Sequence, residues 1–190
     1  MNQETITVVS GLPRSGTSMM MKMLEAGGLQ ILTDNQRTAD EDNPKGYYEF
    51  EAVKDEASYN QWIDDARGKV VKIISQLLKN LPSNYTYKII FMRRKMAEIL
   101  ASQKQMLIRR GEPADNVSDE KMAKMFNLHL LQVETWLEKQ TNMEVHYVHY
   151  SDVLENPARH VEEINRFLGG GLNTDAMSTV IDKSLHRQRA

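Results

Sequence analysis

The sequence predicts a three-layer α/β domain with a mostly parallel central sheet flanked by helices. Short apolar runs alternate along the chain with segments whose apolar residues recur at helical spacing. A glycine-containing turn joins the first apolar run directly to the first helical segment, which is typical of a strand–turn–helix unit. The 190 residues suffice for one full core, so residues 1–190 are expected to form a single domain.

Strands and helices are expected in alternation. The apolar runs predict strands over residues 6–9, 29–32, 68–75, 87–92 and 143–150. The helical periodicity predicts helices over residues 18–26, 51–66, 95–110, 118–140 and 158–168. Ser118, followed by two acidic residues, marks the start of the fourth helix. The apolar stripe of that helix consists of Met122, Met125, Phe126, His129, Val133, Trp136 and Leu137.

The turn after the first strand has the features of an anion-binding loop. It runs GLPRSGTS over residues 11–18, and its backbone N–H groups, with those of the following helix, can converge on a phosphate or sulfate. The spacing is that of a P-loop, but Thr17 stands where a P-loop has lysine. The cation is instead Arg14, which can donate two hydrogen bonds to one anionic group. A turn that merely joins strand to helix is the alternative interpretation.

This loop resembles the 5′-phosphosulfate-binding loop of the sulfotransferase family. Those enzymes transfer the sulfuryl group of 3′-phosphoadenosine 5′-phosphosulfate (PAPS) to an acceptor hydroxyl. The resemblance implies a P-loop NTPase-like fold, in-line transfer without a metal, and PAPS as donor. It also implies that the loop residues bind the 5′ end of the donor, namely Pro13, Arg14, Ser15, Gly16, Thr17 and Ser18.

A second motif follows the fourth predicted strand. Arg94 lies at the carboxyl end of that strand, and Ser102 follows eight positions later on a predicted helix. In sulfotransferases an arginine and a serine at this spacing hold the 3′-phosphate of the donor, so the resemblance implies that role for Arg94 and Ser102. A solvated basic face with a surface serine is the alternative. If both motifs hold one nucleotide, they must lie at one cavity.

The general base is not where many sulfotransferases have it. Residues 68–75 are similar to a family segment that contains Val-Lys-Thr-His; Lys72 matches the lysine, but Ile74 stands at the histidine. The resemblance therefore implies that Lys72 stabilises charge on the transferred group and that another residue takes the proton. Other branches use a glutamate after the second strand, where this chain has an acidic run over residues 40–51. Glu49 is the first candidate, followed by Asp42, Glu41 and Asp34; a solvated acidic connection is the alternative.

Composition excludes several functional classes. The chain has no cysteine, which rules out disulfides, thiolate metal sites and a cysteine nucleophile. The formal net charge of -2 does not favour nucleic acid or an anionic membrane surface as a partner. The apolar runs are all shorter than the roughly 20 residues of a membrane span, and the first strand begins too early for a signal peptide. A cytoplasmic location is therefore expected.

The acceptor and the oligomeric state stay open at this point. A small molecule, a glycan or a lipid can each present the hydroxyl. Two other functions also stay open. A P-loop kinase for a small molecule or nucleotide would share the strand–turn–helix unit but would need the missing lysine and magnesium. A non-catalytic nucleotide-binding paralogue is suggested by Ile74.

Overall fold

The computed structural model of the chain describes residues 4–34, 36, 46–55 and 58–182. Within these residues, five parallel strands form one sheet in the order β2-β3-β1-β4-β5. The strands are β1 (Ile6–Gly11), β2 (Ile31–Leu32), β3 (Val70–Lys72), β4 (Tyr87–Arg93) and β5 (Met143–His149). The predicted α/β class with a parallel sheet and flanking helices is confirmed.

Helices connect the strands and cover both faces of the sheet. They are α1 (Thr17–Ala26), α2 (Tyr59–Trp62), α3 (Met96–Arg109), α4 (Asp119–Leu137), α5 (Tyr150–Glu155), α6 (Pro157–Phe167) and α7 (Thr174–Thr179). Short 3-10 helices cover Glu51–Lys54, Asp64–Ala66 and Ser75–Asn80. The side chain of Ser118 accepts a hydrogen bond from the backbone N–H of Lys121, so it caps α4 as predicted.

The core consists of two apolar clusters, one on each face of the sheet. Because side chains alternate along a strand, Val8 belongs to one cluster and Val9 to the other. The first cluster packs β1, β3 and β4 against α2 and the end of α4. The second packs the same strands against α1, α5, α6 and α7. Every residue of β1 is buried, as expected for the central strand of a parallel sheet.

The prediction of a single helix over residues 51–66 is wrong. Among its described residues, the segment forms 3-10 turns over Glu51–Lys54 and Asp64–Ala66, on either side of the four-residue α2. Side chains provide the physical reason, because the Ser58 hydroxyl donates to the carbonyl of Ala52 at 2.7 Å and the Tyr59 hydroxyl to that of Val53 at 2.9 Å. These bonds satisfy carbonyls that a continuing helix would otherwise use, so the chain turns instead.

The predicted stripe of α4 is buried only at the end of the helix, at Val133 and Leu137. Its other members are half-buried, except Met125, which is 55% exposed. Leu128 and Leu131, which lie off the predicted stripe, are also exposed. The core cluster beneath α4 includes only Val133 and Leu137 among the buried residues of this helix, so the helix packs on the sheet mainly through its last turns. Two further differences concern Tyr150, which begins α5 rather than ending the last strand, and α7, which was not predicted.

Candidate active site

A cavity of about 490 Å³ opens at the carboxyl edge of the sheet. In open parallel sheets this edge is where ligands bind, because the loops that leave the strands converge there. The loop after β1 forms its floor together with the start of α1, and one face of α3 forms a wall. Residues 47–54 and the segment that follows β3 complete the lining. Its volume is in the range of ordinary small-molecule sites.

The loop after β1 adopts the conformation that its glycines allow. Gly16 has φ 100° and immediately precedes α1, whose first turn leaves backbone N–H groups without partners inside the helix. A Cβ at Gly16 would lie 2.5 Å from Cδ2 of Tyr150, so only glycine fits there without a shift. Arg14 also has a positive φ, of 70°, which is a strained conformation for a residue with a side chain. The start of α1 therefore lies at the cavity, in the kind of position at which helix N-termini can bind anions.

The structure brings the second motif onto this loop. The Nε of Arg14 donates to the Ser102 hydroxyl at 2.9 Å, and the Nη1 of Arg94 donates to the carbonyl of Arg14 at 3.1 Å. The Arg94 guanidinium is also stacked on the Tyr150 ring at 4.6 Å. Its Nε forms an ion pair at 2.8 Å with Glu98, which is almost fully buried. The two predicted motifs thus line one cavity, and their binding roles stay predictions.

Ser15 lies beneath the loop rather than in the cavity wall. Its side chain is fully buried, and its backbone N–H donates to the carbonyl of Leu12 at 3.2 Å. The Ser15 hydroxyl makes no hydrogen bond to any residue that the structure describes. The other five predicted loop residues, Pro13, Arg14, Gly16, Thr17 and Ser18, line the cavity.

Lys72 and Glu49 lie on the other side of the loop. The Lys72 side chain is 8% exposed, and its Nζ donates to the carbonyl of Tyr47 at 2.6 Å. The same Nζ lies 3.4 Å from the Ser18 hydroxyl and 3.9 Å from a carboxylate oxygen of Glu49. Both Lys72 and Glu49 line the cavity, so a base candidate and a cation share one wall.

The remaining base candidates are placed differently. Asp42 and Glu41 lie outside the described residues, so their positions stay predictions. Asp34 accepts backbone hydrogen bonds from Glu51 at 2.6 Å and Gln36 at 3.0 Å, which is a structural role in the turn. Ile74 lines the cavity and makes this part of the wall apolar together with Phe50 and Leu77.

Three site residues were missed at the sequence level. Glu98 lies in the first turn of α3, four positions after Arg94, a spacing at which two side chains can pair and which so offered a signal. For Tyr150 the sequence offered a weaker signal, namely its position at the end of the last predicted strand. Tyr47 contributes a backbone carbonyl, which any residue supplies, so the sequence contained no signal for it.

No group of three or more possible metal ligands occurs among the described residues. In that part of the chain, no helix is long and apolar enough to span a membrane.

Comparison with known proteins places this geometry in a family. The family model of the sulfotransferase domain matches residues 4–188. No curated protein is significantly similar to the chain in sequence.

Solved structures share the fold at low sequence identity. Sulfotransferase STF1 from Mycobacterium tuberculosis H37Rv is similar with TM-score 0.62 and 18% identity, over 96% of this chain and 73% of that one. The sulfotransferase domain from the curacin biosynthetic pathway has TM-score 0.53 and 16% identity, over 94% and 78%. Mouse sulfotransferase SULT7A1, solved in complex with PAP, has TM-score 0.54 and 14% identity, over 100% and 68%. The family match over nearly the whole length confirms the resemblance that the two motifs indicated, and the chain belongs to the sulfotransferase family.

Proposed function

We propose that this protein transfers the sulfuryl group of PAPS to an acceptor hydroxyl. The supporting observation is the meeting of the two motifs: Ser102 lies 2.9 Å from Arg14 of the loop, and Arg94 donates to the carbonyl of the same residue. A nucleotide with a phosphosulfate at one end and a phosphate at the other needs two such anion sites within its own length. The mouse relative was solved in complex with PAP, the product that PAPS leaves behind, which agrees with this donor.

The charge of the cavity suits this donor. Of the residues that the structure describes, six cationic side chains and one carboxylate line it, although the whole chain has a net charge of -2. The cations are Arg14, Lys54, Lys72, Arg94, Arg109 and Arg110. A site with this balance attracts an anion with several charges. In the proposal, the loop and the start of α1 hold the 5′ end, while Arg94 and Ser102 hold the 3′-phosphate.

The donor supplies an activated sulfuryl group on a phosphate leaving group. The oxygen of the acceptor forms a bond to sulfur while the bond from sulfur to the bridging phosphate oxygen breaks. Arg14 and Lys72 stabilise the negative charge that grows on the sulfuryl and bridging oxygens. Glu49, on the same wall as Lys72, takes the proton of the acceptor hydroxyl. Asp42 is the second candidate for this role.

The acceptor side of the cavity is mainly apolar. Phe50, Val53, Ile74, Leu77 and Met106 form this part of the lining. Such a wall fits the apolar body of a small molecule or a lipid, whereas a glycan acceptor would depend on the polar rim. We further propose that residues 1–190 act as one domain and that the protein works in the cytoplasm.

The test is a transfer assay with PAPS and a panel of phenols, alcohols and hydroxylated lipids, in which products are detected by mass. Arg14→Ala is expected to lower turnover at least about 100-fold, the usual size for one electrostatic donor. Glu49→Gln is expected to lower it by a similar factor, since it removes the base. Arg159→Ala is the control, because Arg159 forms an exposed ion pair with Glu163 and does not line the cavity. Near-normal turnover of Arg14→Ala would contradict the proposal.

A further inference from the structure

Residues 46–51 form an irregular segment that is fixed by side chains. Residues 46–50 adopt neither helix nor strand, and a 3-10 turn starts at Glu51. Several hydrogen bonds attach this 46–51 segment to the body of the protein. The shortest run from Lys72 Nζ to the Tyr47 carbonyl (2.6 Å), from the Tyr48 hydroxyl to Glu25 (2.6 Å), from the Thr33 hydroxyl to the Glu49 carbonyl (2.8 Å) and from the Glu51 N–H to Asp34 (2.6 Å).

Tyr48 is the strained residue of the segment. Its φ is 54°, in the left-handed region that residues with side chains rarely adopt, so its backbone is strained. In this conformation the Tyr48 side chain points away from those of its two neighbours. Tyr47 and Glu49 line the cavity, whereas Tyr48 packs against the apolar cluster that contains α1. The hydrogen bond to Glu25 holds the tyrosine in this place.

Glu25 connects Tyr48 to the helix that begins at the anion-binding loop. It lies near the end of α1, and α1 begins at the loop, so the carboxylate is rigidly connected to the donor-binding residues. Burial and the neighbouring Glu25 carboxylate both raise the pKa of the Tyr48 phenol. The hydroxyl therefore stays protonated and donates throughout the physiological pH range.

We infer that Tyr48 and Glu25 are a positioning pair that holds Glu49 and Lys72 in register with the transferred group. Lys72 is bound to the carbonyl of Tyr47, and Glu49 follows Tyr48 directly, so a rotation of the segment moves both groups together. Misplacement of reacting groups by about 1 Å is enough to cost roughly 100-fold in rate. This inference rests on the proposed function.

The test compares Tyr48→Phe, Glu25→Ala, Glu25→Gln and the double variant Tyr48→Phe/Glu25→Ala in the transfer assay. Tyr48→Phe and Glu25→Ala are each expected to lower kcat about 10- to 100-fold, with KM for PAPS and Kd for PAP within twofold of wild type. The double variant is expected to match either single one, because both remove the same bond. Glu25→Gln is expected to retain most activity, since its amide oxygen still accepts from the tyrosine.

Tyr85→Phe is the matched control. Tyr85 also donates to a carboxylate, that of Asp64 at 3.0 Å, but this equally exposed pair lies beside the amino-terminal end of β4, at the opposite edge of the sheet from the cavity. Melting temperatures of all variants are measured first, and the assays are run below the lowest of them. If Tyr48→Phe does not fold, the comparison of Glu25→Ala with Glu25→Gln provides the same test.

The possible failures are distinguishable. An active wild type with Tyr48→Phe within twofold of its kcat overturns this inference and leaves the proposed function standing. Independent, multiplicative effects of the two single variants also overturn it. A wild type that transfers sulfuryl to no acceptor of the panel overturns the proposed function, and the inference with it.

Discussion

Gly16 shows how one residue serves two requirements at the site. Its φ of 100° lets the chain enter α1, and its missing Cβ leaves room for the Tyr150 ring. That ring in turn stacks on Arg94, which donates to the carbonyl of Arg14. A change at Gly16 therefore reaches both predicted anion sites through Tyr150.

Gly16→Ala is expected to destabilise the protein by more than about 1 kcal/mol and to weaken PAP binding, because the new Cβ displaces Tyr150. Gly28→Ala is the matched control: its φ is 99°, but nothing lies within 4 Å of the Cβ position. Both variants carry the backbone strain, so their difference isolates the contact with Tyr150. Denaturant unfolding and calorimetric titration with PAP measure the two effects. Equal losses in both variants would contradict this account.

At the same scale, the sequence identified residues whose chemistry is in the side chain. Arg14, Arg94, Ser102, Lys72 and Glu49 line the cavity as that analysis expected, although their roles stay predictions. The Tyr47 carbonyl and the stacked ring of Tyr150 depend on how distant segments meet. Such contacts arise from tertiary packing and leave no local pattern in the sequence.

Among the elements, α4 shows where sequence patterns succeed and where they do not. Its start was predictable because Ser118 provides a local cap, and its burial at Val133 and Leu137 follows the helical period. The exposure of Met125 was not predictable, since periodicity identifies one face but does not say how far the sheet extends beneath it. The prediction of one helix over residues 51–66 was also wrong because periodicity does not report competing contacts. Here the hydroxyls of Ser58 and Tyr59 bind backbone carbonyls that a continuous helix would use.

The contact of α4 with the segment after β3 predicts a dependence on pH. His129 on α4 lies 2.9 Å from the hydroxyl of Ser75, and burial, followed by the charge of Lys79, lowers the pKa of His129 below its ordinary 6.5. As the pH falls through 6.5, the unfolded chain takes up a proton that the folded protein resists. His129 therefore contributes stability above that pH and progressively less below it.

Thermal melts of wild type and His129→Gln at pH 7.5 and 5.5 measure this effect. The wild type is expected to lose more stability than the variant on acidification, because other titrating groups affect both proteins alike. Equal losses would show that His129 does not contribute.

For the whole molecule, the strand order explains why the two motifs meet. The loop follows β1, and Arg94 follows β4, which is the neighbour of β1 in the sheet. Lys72 ends β3, the neighbour on the other side. The sequence predicted a mostly parallel sheet, but it did not predict the order of the strands in that sheet. The resemblance of the motifs to a known family, more than the periodicity, made a shared cavity the expectation.

PAP is expected to stabilise the folded protein through this shared cavity. At 100 times its Kd, a ligand contributes about 2.7 kcal/mol, which is roughly 5–10 °C in melting temperature for a chain of this size. Adenosine 5′-monophosphate lacks the 3′-phosphate and is expected to give a clearly smaller shift at equal concentration. A shift with ATP and magnesium but none with PAP would favour a kinase instead.

The central position of β1 also affects how the chain is made. Its partners β3 and β4 follow about 60 and 75 residues later, so at roughly 5–20 residues per second the ribosome releases them several seconds after β1. During that interval β1, every residue of which is buried in the folded protein, has neither of its neighbouring strands on the nascent polypeptide. We therefore expect this central strand to be open to chaperones during translation until β3 and β4 emerge.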